Sequence, residues 1–317
     1  MSLPVEHNPD CTIDSDALFG FAAPWPIPAF SLPEGHVPEV DPHFQFESDV
    51  TRAVLMGFAH NRRVYLHGPH GSGKSTHIEQ VAARLNWPCI RVNLDGHVTR
   101  ADLIGRDMVV VRDGLQVTEF VPGILVWALE RPIALVFDEY DAGRPDVMFV
   151  IQRLLEAQGH LTLLDQNRVI TPHPAFRLFA TANSAGQGDP TGLYAGTQPL
   201  NQAQLDRWQV VMGLDYPQPA REAAILCARL SGLDPALADK MVQFAGFCRR
   251  AFQQGDLTSV LTLRTLITWA ENRALLGHSA EALRLAYFNR CDQAEQPLVA
   301  ELYQRCFAEE LTPRHDT

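Results

Sequence analysis

Apolar positions along this chain fall into two regimes. Between Pro38 and about Tyr216 short apolar runs recur at Val64 to Leu66, Cys89 to Val92, Ile133 to Phe137 and Leu178 to Thr181, with helical spacing between them. Short, mostly apolar runs suit strands buried on both faces, and the helical stretches supply the crossovers that a parallel sheet needs. After Pro217 the strand pattern stops. Residues 220–230, 237–254, 263–276, 280–289 and 296–307 carry apolar residues three and four apart, which predicts helices alone, punctuated by Gly232, Gly255 and Gly277. The expected architecture is α/β: a parallel-sheet core over 38–216 and a small all-helical lid over 217–317.

Two further patterns interrupt the core. Met108–Arg112 and Leu115–Val117 are β-prone runs around Asp113-Gly114, a dipeptide suited to a two-residue hairpin turn. A second hairpin is expected from Leu161–Leu164 to Arg168–Ile170. Residues 1–37 read as an N-terminal extension. Ala23-Pro24-Trp25-Pro26-Ile27-Pro28 suits neither a helix nor an interior strand, because proline lacks the N–H and restricts its predecessor. Such a segment either wraps the surface or a neighbouring subunit, or stays disordered.

Composition narrows the class. Of the 317 residues 46% are hydrophobic and 20% charged, ordinary for a globular domain. No apolar run approaches bilayer length and the N-terminus lacks a basic region before an apolar core, so neither a membrane span nor a secretory signal is expected, and the location expected is cytoplasmic. The six cysteines form no C-x-x-C pair, which fits reduced, packed thiols. A formal net charge of −11 weighs against a broad nucleic-acid footprint.

The chemistry is concentrated in one octapeptide. Gly68-Pro69-His70-Gly71-Ser72-Gly73-Lys74-Ser75 satisfies G-x-x-x-x-G-K-[ST], preceded by the apolar run Val64–Leu66 and followed by a helical stretch from Thr76. Glycines let backbone N–H groups turn inward around a polyphosphate, and the helix aims its positive end at the same anion. Lys74 suits the β- and γ-phosphates of ATP, and the Ser75 hydroxyl suits Mg²⁺. The run Ile133–Phe137 ends in Asp138-Glu139. Asp138 suits the Mg²⁺ shell, and Glu139 suits a general base acting on water. The run Leu178–Ala182 ends in Asn183, an amide placed to orient that water or, more commonly, a turn residue.

The order of these pieces resembles a known family. Gly68–Ser75, Phe137–Glu139, Ala180–Asn183, Pro199–Trp208 and Leu263–Leu266 follow one another as in AAA+ ATPases of the MoxR and metal-chelatase branch, which also inserts hairpins at the two predicted places. Within that branch Gly57–Val64, Ser75–Cys89, Asp138–Arg153 and Pro297–Cys306 are similar to the small AAA+ subunits of aerobic cobaltochelatases, and the likeness covers nearly everything after about residue 28. The resemblance implies an AAA+ P-loop fold with a helical lid, assembled as a homo-hexameric ring that hydrolyses Mg-ATP. It implies that Arg207 reaches the γ-phosphate of a neighbouring subunit and that Arg264 closes on the nucleotide from the lid. It also implies a CobT-like partner with an integrin-like domain. A CobN-like large subunit would bind hydrogenobyrinic acid a,c-diamide and receive Co²⁺.

This chain lacks the D-x-S-x-S motif of the integrin-like partner, so metal and macrocycle are expected to bind elsewhere. His67, His70 and His77 cluster in sequence, yet a metal there competes with the loop's own task. A MoxR-type chaperone acting on another metalloenzyme is the alternative reading. A nucleic-acid motor is disfavoured because Arg112 and Arg168 on the hairpins are balanced by Asp107, Asp113 and Asp165. A hydrolysis-dead scaffold conflicts with the intact Lys74, Asp138, Glu139 and Asn183.

Overall fold

Alternate residues of each apolar run serve opposite faces of a sheet. Val64, Leu66, Ala134, Val136 and Phe179 pack into one buried cluster, while Tyr65, Leu135, Phe137, Leu178 and Ala180 pack into another. Because both faces are covered, the runs read as continuous rather than alternating. The computed structural model describes residues 7–156, 159–186, 188 and 198–311. In it the strands Val64–His67, Cys89–Asn93, Ala134–Asp138, Arg177–Ala182 and Val210–Gly213 form one parallel sheet. In space they run Val210–Gly213, Val64–His67, Arg177–Ala182, Ala134–Asp138, Cys89–Asn93. This order sets the C-terminal ends of three central strands side by side, where the loop after His67, the Asp138 pair and Asn183 must meet.

The expected α/β class, hairpin insertions and helical C-terminal region are all present. The first hairpin pairs Gly105–Arg112 with Leu115–Pro122, and its turn holds Asp113 at φ 51° and Gly114 at φ 79°, as a two-residue turn of this hand demands. The second pairs Leu161–Leu163 with Arg168–Ile170. Val210–Gly213 lies outside the predicted strands. Val210-Val211-Met212 is a short apolar run, but it forms a four-residue edge strand in which no residue is fully buried and Val211 is 48% exposed.

The described part of the N-terminal extension packs on the chain's own core. Cys11–Ile13 pairs antiparallel with Ile27–Ala29, and Phe19, Ile27 and Phe30 are buried, Phe30 edge-on to Trp87 at 5.1 Å between ring centroids. Pro28 is tolerated because this ribbon joins no larger sheet, leaving its nitrogen on a free edge.

The lid helices Pro219–Arg229, Pro235–Gln254, Leu263–Leu276, Ser279–Ala286 and Gln296–Phe307 enclose a third core around Phe244, Trp269 and Tyr303. The helix expected over 280–289 stops at Ala286, where Tyr287 leaves helical geometry before a short 3₁₀ turn, Phe288–Arg290. Tyr216 links lid to core. Its hydroxyl donates to the His70 carbonyl at 2.5 Å, and the Arg249 guanidinium sits 3.9 Å from its ring centroid. Arg249 is paired bidentately with buried Glu222 at 2.6 and 2.9 Å and donates to the Leu261 carbonyl, which fixes the chain just before Arg264. Among the described residues no helix is long and apolar enough to cross a membrane.

Candidate functional site

Steric demands explain the glycines of the loop. A Cβ at Gly68 would lie 2.0 Å from the Leu214 carbonyl oxygen, and one at Gly71 2.5 Å from Thr262 Cβ. Gly71 and Gly73 also sit at φ 71° and 95°, where side chains are strained. The helix Lys74–Arg84 starts directly behind, and no side chain caps its first turn at Gly73. Ser72 Oγ is buried with no hydrogen-bond partner. An uncapped helix N-terminus beside an orphaned hydroxyl and inward-turning glycines is what a triphosphate requires.

Around this loop the strand ends bring their polar residues together. Lys74, 7% exposed, donates from Nζ to the Gly68 and Pro69 carbonyls at 2.8 and 2.9 Å and to Asn183 Oδ1 at 3.2 Å. Burial lowers its pKa from 10.5 to about 8, opposed by the charges of Asp138, Asp141 and Glu139. Ser75 Oγ donates to Asp138 Oδ1 at 2.6 Å, and the Thr181 hydroxyl donates to the same oxygen. A hydroxyl and a carboxylate so paired fit the donor set of Mg²⁺. Glu139 holds φ 54°, uncommon for a non-glycine residue and frequent at functional sites.

His70, Gly71, Gly73, Lys74, Ser75, Thr76, Asp138, Glu139, Asn183 and the lid's Arg264 all line one cavity of about 180 Å³. A second cavity of about 670 Å³ adjoins it along the seam of core and lid, sharing Gly71, Gly73, Thr76 and Arg264 and adding Ser72, Phe44, Tyr216 and Ile267. Its size and partly apolar walls suit a nucleoside beside the phosphates. Arg207 stands apart. It follows the short helix Gln202–Leu205, donates to the Ala203 carbonyl, lies 3.9 Å from Glu156 Oε1 and lines neither cavity.

Three contributors escaped the sequence reading. Thr181 holds Asp138. Asp141, fully buried, accepts the N–H groups of Asn183 and Ser184 at 3.1 and 2.9 Å and so fixes the strand end carrying Asn183. Arg91 lines the same cavity as Lys74 and Ser75. A charged residue inside an apolar strand run was the available signal for Arg91. Asp141 and Thr181 had none, because each acts through residues more than forty positions away. The histidines divide differently. His77 is buried against Thr51 Oγ1 at 2.8 Å and its pKa falls to about 3 through burial, which makes it a neutral packing residue. Among the described residues no group of three or more His, Cys, Asp or Glu is placed to hold a metal ion.

Comparison with known proteins agrees with this geometry. The profile of the AAA domain (dynein-related subfamily) matches residues 63–198, and that of the CbbQ/NirQ/NorQ C-terminal region matches 222–290. The chain is 56% identical to the aerobic cobaltochelatase subunit CobS of Sinorhizobium sp over 98% of its own length and 95% of that protein. It is 28% identical to the denitrification regulatory protein NirQ of Stutzerimonas stutzeri, over 76% of this chain and 83% of that one. To the protein CbbQ of Hydrogenophilus thermoluteolus it is 30% identical, over 65% and 72%.

Proposed function

The chain belongs to the family of the aerobic cobaltochelatase subunit CobS, an AAA ATPase family, and from that premise we propose that it is the motor of an aerobic cobaltochelatase. In this reading ATP hydrolysis drives insertion of the substrate ion Co²⁺ into hydrogenobyrinic acid a,c-diamide during cobalamin synthesis. The motor is a homo-hexameric ring in the cytoplasm, working with a CobT-like subunit and a CobN-like large subunit. Residues 38–216 are its nucleotide domain, 217–317 its lid and 1–37 an extension. The observation that carries the reading is the convergence of loop, strand-end carboxylates, Asn183 and Arg264 on one cavity, in a chain with such a relative along nearly its whole length.

The roles follow from position. The phosphate loop and Lys74 bind the β- and γ-phosphates. Mg²⁺ would be held by Ser75 and Asp138 and would neutralise charge between those phosphates. Glu139 takes a proton from the attacking water, which Asn183 orients. Arg264 closes from the lid, and Arg207 serves the site of a neighbouring copy. The match to the CbbQ/NirQ/NorQ region favours a second reading, a MoxR-type chaperone for another metalloenzyme, but at about half the identity. Reconstitution separates them: purified chain, CobT-like and CobN-like subunits, Co²⁺, corrin and ATP should yield cobalt corrin by its absorbance change. A complete mixture that consumes ATP and inserts no cobalt would favour the chaperone.

The buried lysine adds a pH signature. Its folded pKa, about 8, lies below the ordinary 10.5, so the unfolded chain binds more protons between those values. Through this group alone, stability rises with pH across that window. A triphosphate favours charged Lys74, so binding above pH 8 takes up a proton. Affinity for a non-hydrolysable ATP analogue should therefore fall from pH 8 to 9.5, approaching about tenfold per unit. Calorimetry in buffers of differing ionisation enthalpy should register the proton. A flat affinity from pH 7 to 9.5 would rule this out.

A further inference from the structure

Arg91 sits between two carboxylates at the edge of the phosphate cavity. Its Nε lies 3.6 Å from Asp138 Oδ2 and its Nη1 3.7 Å from Glu79 Oε1. In the sheet Arg91 stands opposite Val136 and Asn93 opposite Asp138, so the side chain leans two residues along its strand to reach Asp138. That reach is not strand packing: the side chain is 43% exposed and lines the cavity that holds Lys74, Ser75 and Arg264. Asp138 thus divides its two oxygens. Oδ1 takes the Ser75 and Thr181 hydroxyls, and Oδ2 faces the guanidinium.

A fixed positive charge here acts in opposite directions on the two components of Mg-ATP. It attracts the triphosphate, and it repels a divalent ion seeking the same carboxylate. The guanidinium can leave Asp138 without losing all its partners, because Glu79 remains on one side and phosphate oxygens would lie on the other. Its planar fork matches phosphate as well as carboxylate. We propose that Arg91 is a further cation of the phosphate cavity beside Lys74 and Arg264, standing beside Asp138 when no divalent ion is bound and turning to the ATP oxygens when one enters, and so sets the magnesium dependence of nucleotide binding. This rests on the reading of the cavity as an Mg-ATP site.

The test measures binding, with the full chain and a fluorescent non-hydrolysable ATP analogue, in EDTA and across a magnesium titration. Charges about 4–6 Å apart at an effective dielectric near 20 interact strongly enough for a change on the order of tenfold after screening. Arg91→Met should weaken analogue binding in EDTA about tenfold and lower the magnesium midpoint by a similar factor. Arg91→Gln should show the same pair of shifts if Arg91→Met does not fold. Arg91→Lys keeps the charge and should leave both constants within about twofold. Unchanged constants, shifts in the same direction, or a lysine variant that behaves like methionine would each overturn the proposal. Lys74→Ala, run in the same assay, separates two failures. If it too binds like wild type, the cavity is not the nucleotide site. If it loses binding while Arg91→Met is unaffected, only the role of Arg91 falls.

Discussion

Glu139→Gln is expected to hold ATP and turn it over on the order of 10²–10⁴ times more slowly than the wild type, the range that general-base catalysis contributes. Gln keeps the volume of the side chain and can adopt the same positive φ at the strand end. Only the capacity to take a proton from water is removed. Lys74→Ala is expected to fail differently. It deletes the buried ammonium at the loop, and hydrogen bonds to charged groups are each worth about 1.5–3 kcal/mol, so ATP affinity should fall about 10- to 100-fold and turnover with it. Measuring the dissociation constant and single-turnover hydrolysis for both variants separates the cases. Near-normal hydrolysis by Glu139→Gln removes Glu139 from its role. Wild-type affinity in Lys74→Ala would show that ATP binds elsewhere.

Arg207→Ala is expected to bind ATP normally and hydrolyse it on the order of 10³–10⁵ times more slowly, the contribution of an arginine supplied in trans in other phosphoryl-transfer systems. Arg207 lies beside Glu156 and, among the described residues, lines neither the cavity at the phosphate loop nor the one adjoining it. A mixing experiment makes the claim specific. Lys74→Ala subunits keep Arg207, and Arg207→Ala subunits keep an intact phosphate loop. Neither should turn over alone, yet mixed assemblies should pair good arginines with good loops at some interfaces. Partial recovery on titrating one into the other, with subunit exchange verified by fluorescence transfer, is the predicted result. No recovery at any ratio under complete exchange would remove the support for action in trans. Full activity of Arg207→Ala alone would end the assignment.

Much of this architecture was written locally. The phosphate loop was legible because its demands are local: positive φ at Gly71 and Gly73, close backbone approach at Gly68, and a helix starting at Lys74. The Asp113-Gly114 hairpin was legible for the same reason. The lid helices Leu263–Leu276 and Gln296–Phe307 end where their periodicity ends. The strand Val210–Gly213 was not predicted although Val210-Val211-Met212 is apolar, because a three-residue run does not itself specify a strand and its pairing with Val64–His67 is decided by a partner about 146 residues away. The Pro-rich stretch was half legible: proline excluded a helix and an interior strand, but only packing against Trp87 and Phe19's neighbours turned Ile27–Ala29 into a ribbon.

The α/β class, the glycine loop, the acidic pair at its strand end and the family all follow from residues close in the chain or from motifs taken in order. What those residues touch follows from the fold in three dimensions. The sheet order sets Asn183 against Lys74, Thr181 against Asp138 and Arg91 between Asp138 and Glu79, and it buries Asp141 under the strand end that carries Asn183. The two differ in range. Steric limits on φ and hydrophobic periodicity act over a few residues and leave a mark at each position, whereas a parallel sheet joins strands through long crossovers, so the charges that meet at its edge are set by topology.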